Sequence, residues 1–337
     1  MKNFLWLLML INVVFSCKEK PRNTLDIEQG KKFVTDSCYV INDAYKKGDV
    51  RRYGVMPNKR IDSNLFQQCL SLAEEGLPLY FPKGTYNTSL VLKGVSGIEM
   101  NFEDVIITGA VEIINRDAIP SQNIIFNGKL TILDKLFIRE SNTISFNEVR
   151  VISDTVANLY HKKNRGVSIY VGSKIINFDT LIIQDTGGSD ADFYTHVAAA
   201  FQVHGWNNNP SNITIKEIQI KNAARTAMYL TGKNHRISKT TIINFGAGQF
   251  ENMFGLEDVD LGLEKGFSGA WINKCNDCVL DSLSISNSRN LGRYSLNLGI
   301  GSYSNPTFIN NINFNKKAKE MPIKDSPLTN ILVKNTY

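Results

Sequence analysis

The sequence lacks most of the features by which a chain declares its chemistry. Its four histidines are scattered through 337 residues, and Cys275-Asn-Asp-Cys278 reads as half a zinc site with no second pair to complete it. Charge is close to balanced, with 38 Lys+Arg against 32 Asp+Glu, and the small basic excess gathers in no dense cluster. That argues against nucleic acid as a partner and leaves a solvated surface with a mild tolerance for polyanions. Long apolar runs are missing too. The one candidate, Phe4–Phe15, is broken only by Asn12 but is too short for a permanent membrane span. Following the basic Met1-Lys2-Asn3, it has the layout of an export signal over residues 1–16, with a polar tether over 17–30.

What the chain does have is repetition. The phrase apolar-x-apolar, two or three polar residues, apolar-x-apolar, then Asn, Asp, Ser or Gly occurs in Ile144–Ser153, Ile176–Asp185 and Ile213–Asn222. Weaker copies run His235–Asn244, Cys278–Asn287 and Thr307–Asn315. Period-two alternation makes each copy a pair of short strands. A repeat of roughly 20–40 residues means a solenoid whose units bury their apolar sides by stacking. A further strand precedes each copy: Leu90–Gly94, Leu136–Glu140, Val167–Gly172, Phe201–Gly205, Met228–Gly232, Ala270–Lys274 and Leu296–Gly301. The expected architecture is an all-β, right-handed parallel β-helix over residues 88–337, opened by a cap over residues 31–87. In that cap Asp62-Ser63 starts a helix of about residues 63–75, with Leu65, Phe66, Cys69, Leu70 and Ala73 on one face and Gly76 ending it.

Two resemblances sharpen this. Val14-Phe15-Ser16-Cys17 resembles the bacterial lipoprotein signal, which implies lipidation at Cys17 and anchoring in the cell envelope. The other four cysteines then form an even set; a Cys38–Cys69 bridge is one possibility, and Cys278 falls on an inward slot as a buried thiol or in a local disulfide. Tyr53-Gly54-Val55, Asp62-Ser63, Phe66-Gln67, Ala73 and Leu79–Tyr86 resemble the opening of the pectate-lyase-like superfamily of parallel β-helices. The Asp-rich turn of that family is replaced here by Met56–Arg60. The resemblance implies a carbohydrate-active protein, a lyase or a glycosidase. Of the polygalacturonase motifs only His204-Gly205 is present, and the aspartate cluster of a calcium-dependent pectate lyase is not evident, so no cofactor is implied.

Stacking the coils places the site. Coils lie about 4.8 Å apart, so equivalent positions form columns. With Val203, Leu230, Ile272 and Ile138 inward, one outward column reads Arg139, Tyr170, His204, Thr231, Asn273, and the other Phe137, Ser168, Gln202, Tyr229, Trp271, Asn297. Rings offer apolar surface to sugar faces, while amides and guanidinium meet hydroxyls and carboxylates. Arg139, Tyr170, Gln202, Tyr229, Trp271 and Asn273 are therefore the expected substrate contacts; the competing reading is that loops cover them and they merely pack. Asn222, Asn244, Asn287 and Asn335 recur at another corner and read as a structural ladder.

Insertions at 154–166, 186–198 and 246–266 enter this face and carry further acid–base candidates. Elimination on a uronic acid needs a base, His204 or His196, and a neutralising cation, Arg139, Arg225 or Lys162. Hydrolysis needs two carboxylates about 5 Å or about 6.5–9.5 Å apart, which Asp190, Asp192 and Glu251 supply if their loops converge. The expected catalytic set is His204, Asp190, Asp192, Glu251 and Arg225, acting on an acidic polysaccharide, with a slight preference for elimination. The third possibility is a lipoprotein that binds a glycan without cleaving it.

Overall fold

The computed structural model describes residues 35–152, 166–184, 199–205, 207–246, 267–288, 294–299, 305–315, 321–324 and 331–336. The helix α1 (Ser63–Glu74) forms where the sequence places it: the Asp62 carboxylate accepts from Asn64 N at 2.8 Å and Leu65 N at 3.2 Å. Leu77 N then donates to Leu72 O at 3.0 Å, closing the last turn beside Gly76, whose φ is 99°. The buried face of α1 is Phe66, Cys69, Leu70, Leu72 and Ala73. Tyr53 anchors the preceding segment, its hydroxyl donating to Asp36 at 2.8 Å while Arg52 pairs with the same carboxylate at 2.9 Å.

Strands β1 (Leu79–Phe81) and β2 (Gly84–Tyr86) lead into an alternation of short and long strands. These are β3 (Leu90–Lys93), β4 (Ser96–Ile107), β5 (Val111–Ile114), β6 (Gln122–Ile132), β7 (Lys135–Arg139), β8 (Asn142–Ile152), β9 (Gly166–Tyr170) and β10 (Lys174–Gln184). They continue as β11 (Ala199–His204), β12 (Ser211–Lys221), β13 (Thr226–Lys233), β14 (Arg236–Ile243), β15 (Ser268–Asn276), β16 (Val279–Ser286), β17 (Tyr294–Leu298), β18 (Thr307–Asn315), β19 (Met321–Lys324) and β20 (Ile331–Thr336). β1 and β2 both pair with β4; from β3 onward short pairs with short and long with long, apart from one β12–β13 contact at Ser211 and Lys233, all in parallel, so each coil lies on the one before it as a right-handed parallel β-helix. The repeated phrase is one bent strand rather than the expected pair. In β10 Ile175 drops out of the ladder at the first corner and Asp179 between Phe178 and Thr180, and the chain turns at each without leaving the sheet.

Inward positions are almost wholly apolar. Phe102, Phe126, Phe146 and Phe178 stack with centroid distances of 5.8, 4.8 and 4.7 Å and rings nearly parallel; Phe126, Phe146 and Phe178 are level in the ladder, while Phe102 stands opposite Gly128 beside a register shift. Phe81 joins them at 5.1 Å and meets Phe66 of α1 edge-on at 6.5 Å, so the cap continues the core column. Farther along, Ile215, Ile237, Leu280 and Ile309 take the same slot.

The corners explain the polar punctuation. One is left-handed in seven successive coils, at Gly97, Asn123, Thr143, Ile175, Asn212, Asn234 and Asp277, with φ between 53° and 74°. Small amides and glycine accept that conformation; Ile175, β-branched and with φ 56°, is the misfit. Beside it, buried serines fill the bend: Ser121, Ser141 and Ser173 donate to Ile114 O, Arg139 O and Tyr170 O at 2.7, 2.8 and 2.6 Å. The expected asparagine ladder forms between Asn222 and Asn244, whose side chains bond at 3.1 Å, and Asn287 follows in register. Asn335 does not belong to it: it lies within β20 opposite Asn311, because the last strand is offset from the corner.

Among the cysteines, Cys275 and Cys278 form a disulfide, and Cys69 is a free, buried thiol. The Cys38–Cys69 bridge is therefore not made, and Cys278 is not the free thiol its inward slot allowed.

Candidate functional site

The short strands carry the outward face. Their ladders pair Phe137 with Ser168, Ser168 with Gln202, Gln202 with Tyr229, Tyr229 with Trp271 and Trp271 with Asn297. The second expected column is thus present position for position. The first holds for Arg139, Tyr170 and His204, then breaks. A register shift between Leu230 and Gly232 takes Thr231 out of the ladder. The Thr231 hydroxyl donates instead to Asn209 Oδ1 at 2.8 Å. Asn273 returns to the face by another route, donating from Nδ2 to the Tyr229 hydroxyl at 3.2 Å.

Rings from both columns touch in sequence, one per coil. Centroid distances are 6.3 Å for Phe137–Tyr170, 5.9 Å for Tyr170–His204, 5.6 Å for His204–Tyr229 and 4.8 Å for Tyr229–Trp271. The planes are tilted or edge-on, so each ring shows part of its face and its polar tip to a different side. His204 and Tyr229 in the middle are buried, with relative exposures of 7% and 2%. Phe137, Tyr170, Gln202 and Trp271 are partly exposed, and Arg139 is exposed. Burial pushes the His204 imidazole below its ordinary pKa and so keeps it neutral. Burial raises the Tyr229 phenol, against a smaller opposing effect of its hydrogen bond from Asn273. Two polar atoms here, Trp271 Nε1 and Asn273 Oδ1, are buried without a hydrogen-bond partner. A donor and an acceptor left so cost about 1–3 kcal/mol each until something meets them.

Not every expected participant gathers here. Arg225 is buried, but it precedes Thr226, the residue level with Ala199 at the opposite end of β11 from His204. Along extended strands that separation is about 20 Å. Arg225 is therefore not the cation for His204, because the whole strand stands between them. Arg139 is nearer, two coils from His204 in the same column, or about 10 Å; it also lies 3.8 Å from Glu140. Asp190, Asp192, Glu251, His196, Lys162 and Cys17 lie outside the described residues.

Two contributors were missed in the sequence. Lys135 sits 5.4 Å from the Phe137 ring centroid and pairs with Glu112 at 2.7 Å, adding a cation to the exposed end of the row. Its signal was its place two residues before Phe137 on an alternating strand. Asn209 accepts from Gly205 N at 2.9 Å as well as from Thr231, fixing the turn that follows His204. Asn207-Asn-Asn-Pro210 announced a turn, but not which amide would reach back.

The chain matches no family model and none of the curated proteins. Among solved structures it is similar to PfbA, a surface adhesin of Streptococcus pneumoniae, at 16% identity and a TM-score of 0.57, over 86% of this chain and 76% of that one. It is also similar to ORF18 of Geobacillus virus E2, at 13% identity and a TM-score of 0.45, over 86% of this chain and 60% of that one. At these identities the likeness concerns the fold alone.

Proposed function

We propose that this chain is a carbohydrate-active protein of the bacterial cell envelope, lipid-anchored through Cys17, that holds an extended acidic polysaccharide along its outward ring row and cleaves it by elimination. The observation that carries this reading is the unbroken contact of Phe137, Tyr170, His204, Tyr229 and Trp271 over five successive coils. Core packing does not need outward rings, whereas a sugar chain needs apolar faces at repeated intervals with polar tips between them. Gln202, partly exposed on the row, provides a hydroxyl partner, and Arg139 and Lys135 favour carboxylates at one end. The β-helix fold and the Tyr53–Tyr86 resemblance to pectate-lyase-like proteins support the same class. The surface adhesin of similar fold is in keeping with an exposed location.

In this reading neutral His204 takes the proton beside the sugar carboxylate. The electron pair becomes the new ring double bond as the glycosidic C–O bond breaks, and the Tyr229 phenol protonates the leaving oxygen. Arg139 draws the chain's carboxylates towards the row. Asp190, Asp192 and Glu251 carry the hydrolytic alternative. A binding-only reading is favoured by one observation, the burial of His204 and Tyr229, which suits rings that pack.

A panel of uronic-acid and sulfated polysaccharides separates these. Unsaturated ends, seen by ultraviolet absorbance, are expected and should vanish in His204→Ala while the circular dichroism of the fold persists. Reducing ends without unsaturation support the carboxylates instead. Binding without any product supports the non-catalytic reading, and retained turnover in His204→Ala removes that residue from the mechanism.

A further inference from the structure

Elimination needs a group that meets the sugar carboxylate as negative charge flows onto it. Neither arginine fills that place, since Arg225 lies about 20 Å from His204 and Arg139 about 10 Å. The turn after His204 offers another group. Asn209 folds back over that turn, and its Oδ1 accepts from Gly205 N at 2.9 Å and from the Thr231 hydroxyl at 2.8 Å. Adding the two intervening bond lengths puts Oδ1 within about 5.8 Å of His204 Cα.

Chemistry fixes which limb of the amide faces which way. A backbone N–H only donates, so the limb at Gly205 N is the carbonyl oxygen. Thr231 is itself held. It is buried, its hydroxyl also lies 3.0 Å from Val203 O, and its carbonyl accepts from His235 Nε2 at 2.8 Å. His235 can donate there because its Nδ1 accepts from Ile213 N. The turn is equally firm: Asn208 N donates to Gly205 O at 2.9 Å, and Gly172 N to Asn208 O at 2.8 Å. A Cβ at Gly205 would lie 2.3 Å from Asn208 O, so the turn closes only over glycine. That leaves the Nδ2 amino group of Asn209. Among the described residues no acceptor meets it, and the half-buried side chain keeps it open to solvent.

We infer that Asn209 Nδ2 donates to the carboxylate of the uronic acid whose neighbouring proton His204 takes. The inference rests on the elimination reading and deepens it. Asn209 gives up no proton: His204 gains one and Tyr229 passes one to the leaving oxygen. The C–H electron pair moves towards the carboxylate, where the Asn209 N–H contact strengthens as charge gathers. The pair then forms the ring double bond as the glycosidic C–O bond breaks. An amide pinned through its oxygen cannot rotate, so its donor is in place before the charge develops.

Asn209→Asp makes the test selective, because it keeps an oxygen for Gly205 N and Thr231 and removes only the donor. Oligouronides, and the same oligosaccharides with their carboxyl groups reduced to alcohols, are titrated calorimetrically into wild type, Asn209→Asp and the uncharged Asn209→Ala. Turnover of the acid form is followed by ultraviolet absorbance. Wild type should bind the acid form about tenfold more tightly than the reduced form, and both variants should lose most of that margin. Turnover in both should fall about 100-fold, with the melting temperature of Asn209→Asp unchanged. A purely structural Asn209 predicts that Asn209→Asp keeps margin and turnover; that result overturns the inference and leaves the elimination reading standing. A margin lost in Asn209→Asp but kept in Asn209→Ala also overturns it, because charge repulsion then accounts for the loss. Wild type that binds acid and reduced forms alike overturns the elimination reading itself, and the inference with it.

Discussion

Two rows of aromatic rings run along this solenoid. The inward row is one residue type repeated: Phe102, Phe126, Phe146 and Phe178 lie at 4.7–5.8 Å with planes within 10° of parallel, all nearly inaccessible. The outward row changes type at every coil, from Phe137 to Tyr170, His204, Tyr229 and Trp271, and its planes are tilted by 35–60°. A packing column gains most when each coil presents the same shape to the next. A row that alternates phenol, imidazole and indole gives up that uniformity and gains a different polar tip at each step. The contrast teaches that repetition marks the scaffold and that the departure from it, on the same coils, marks the candidate site.

The inward row should fail first. Phe146→Ala removes a ring held between two others and should cost about 3–5 kcal/mol of unfolding free energy, measured by denaturant titration. A cost near zero would mean that the column is not the core. The fold was legible because period-two alternation and a recurring length are local signals, and because Val203, Leu230 and Ile272 fix the pleat once aligned. That alignment placed Gln202, Tyr229 and Trp271 correctly. It misplaced what depends on distance along a strand or on a broken register. Arg225 stood near His204 in composition but lies at the other end of the strand, and Thr231 left its column at a bulge that no residue type announces.

The outward row should show itself through pH. Burial holds His204 below its ordinary pKa of about 6.5, so the base stays unprotonated until the pH falls below that value. The acid limb of kcat/KM should therefore lie below pH ~6.5 and drop about tenfold per pH unit once past the folded-state pKa. The linkage has the same sign. The unfolded chain binds this proton more readily, so His204 leaves stability untouched above pH ~6.5 and erodes it as the pH falls through that window. An acid limb above 6.5 would assign the titration to another group.

The smallest effect belongs to neither row. Ile175 holds a left-handed conformation at φ 56° where its column otherwise uses Gly97, Asn123, Asn212, Asn234 and Asp277, with Thr143 the other exception. Ile175→Gly should raise stability by about 1 kcal/mol in the same denaturant titration, net of glycine's entropic cost, and leave glycan affinity unchanged. A change in affinity would show that the corner and the ring row are coupled.

The central claim, that the outward row holds a sugar chain, is tested most directly by calorimetric titration with acidic oligosaccharides of increasing length. Five rings on consecutive coils span about 19 Å. Affinity should rise with length and level off once the oligosaccharide spans the row, and Tyr170→Ala should weaken the long ligands about tenfold while barely affecting the melting temperature. Affinity that ignores both ligand length and Tyr170 would contradict the account and leave the rings as packing.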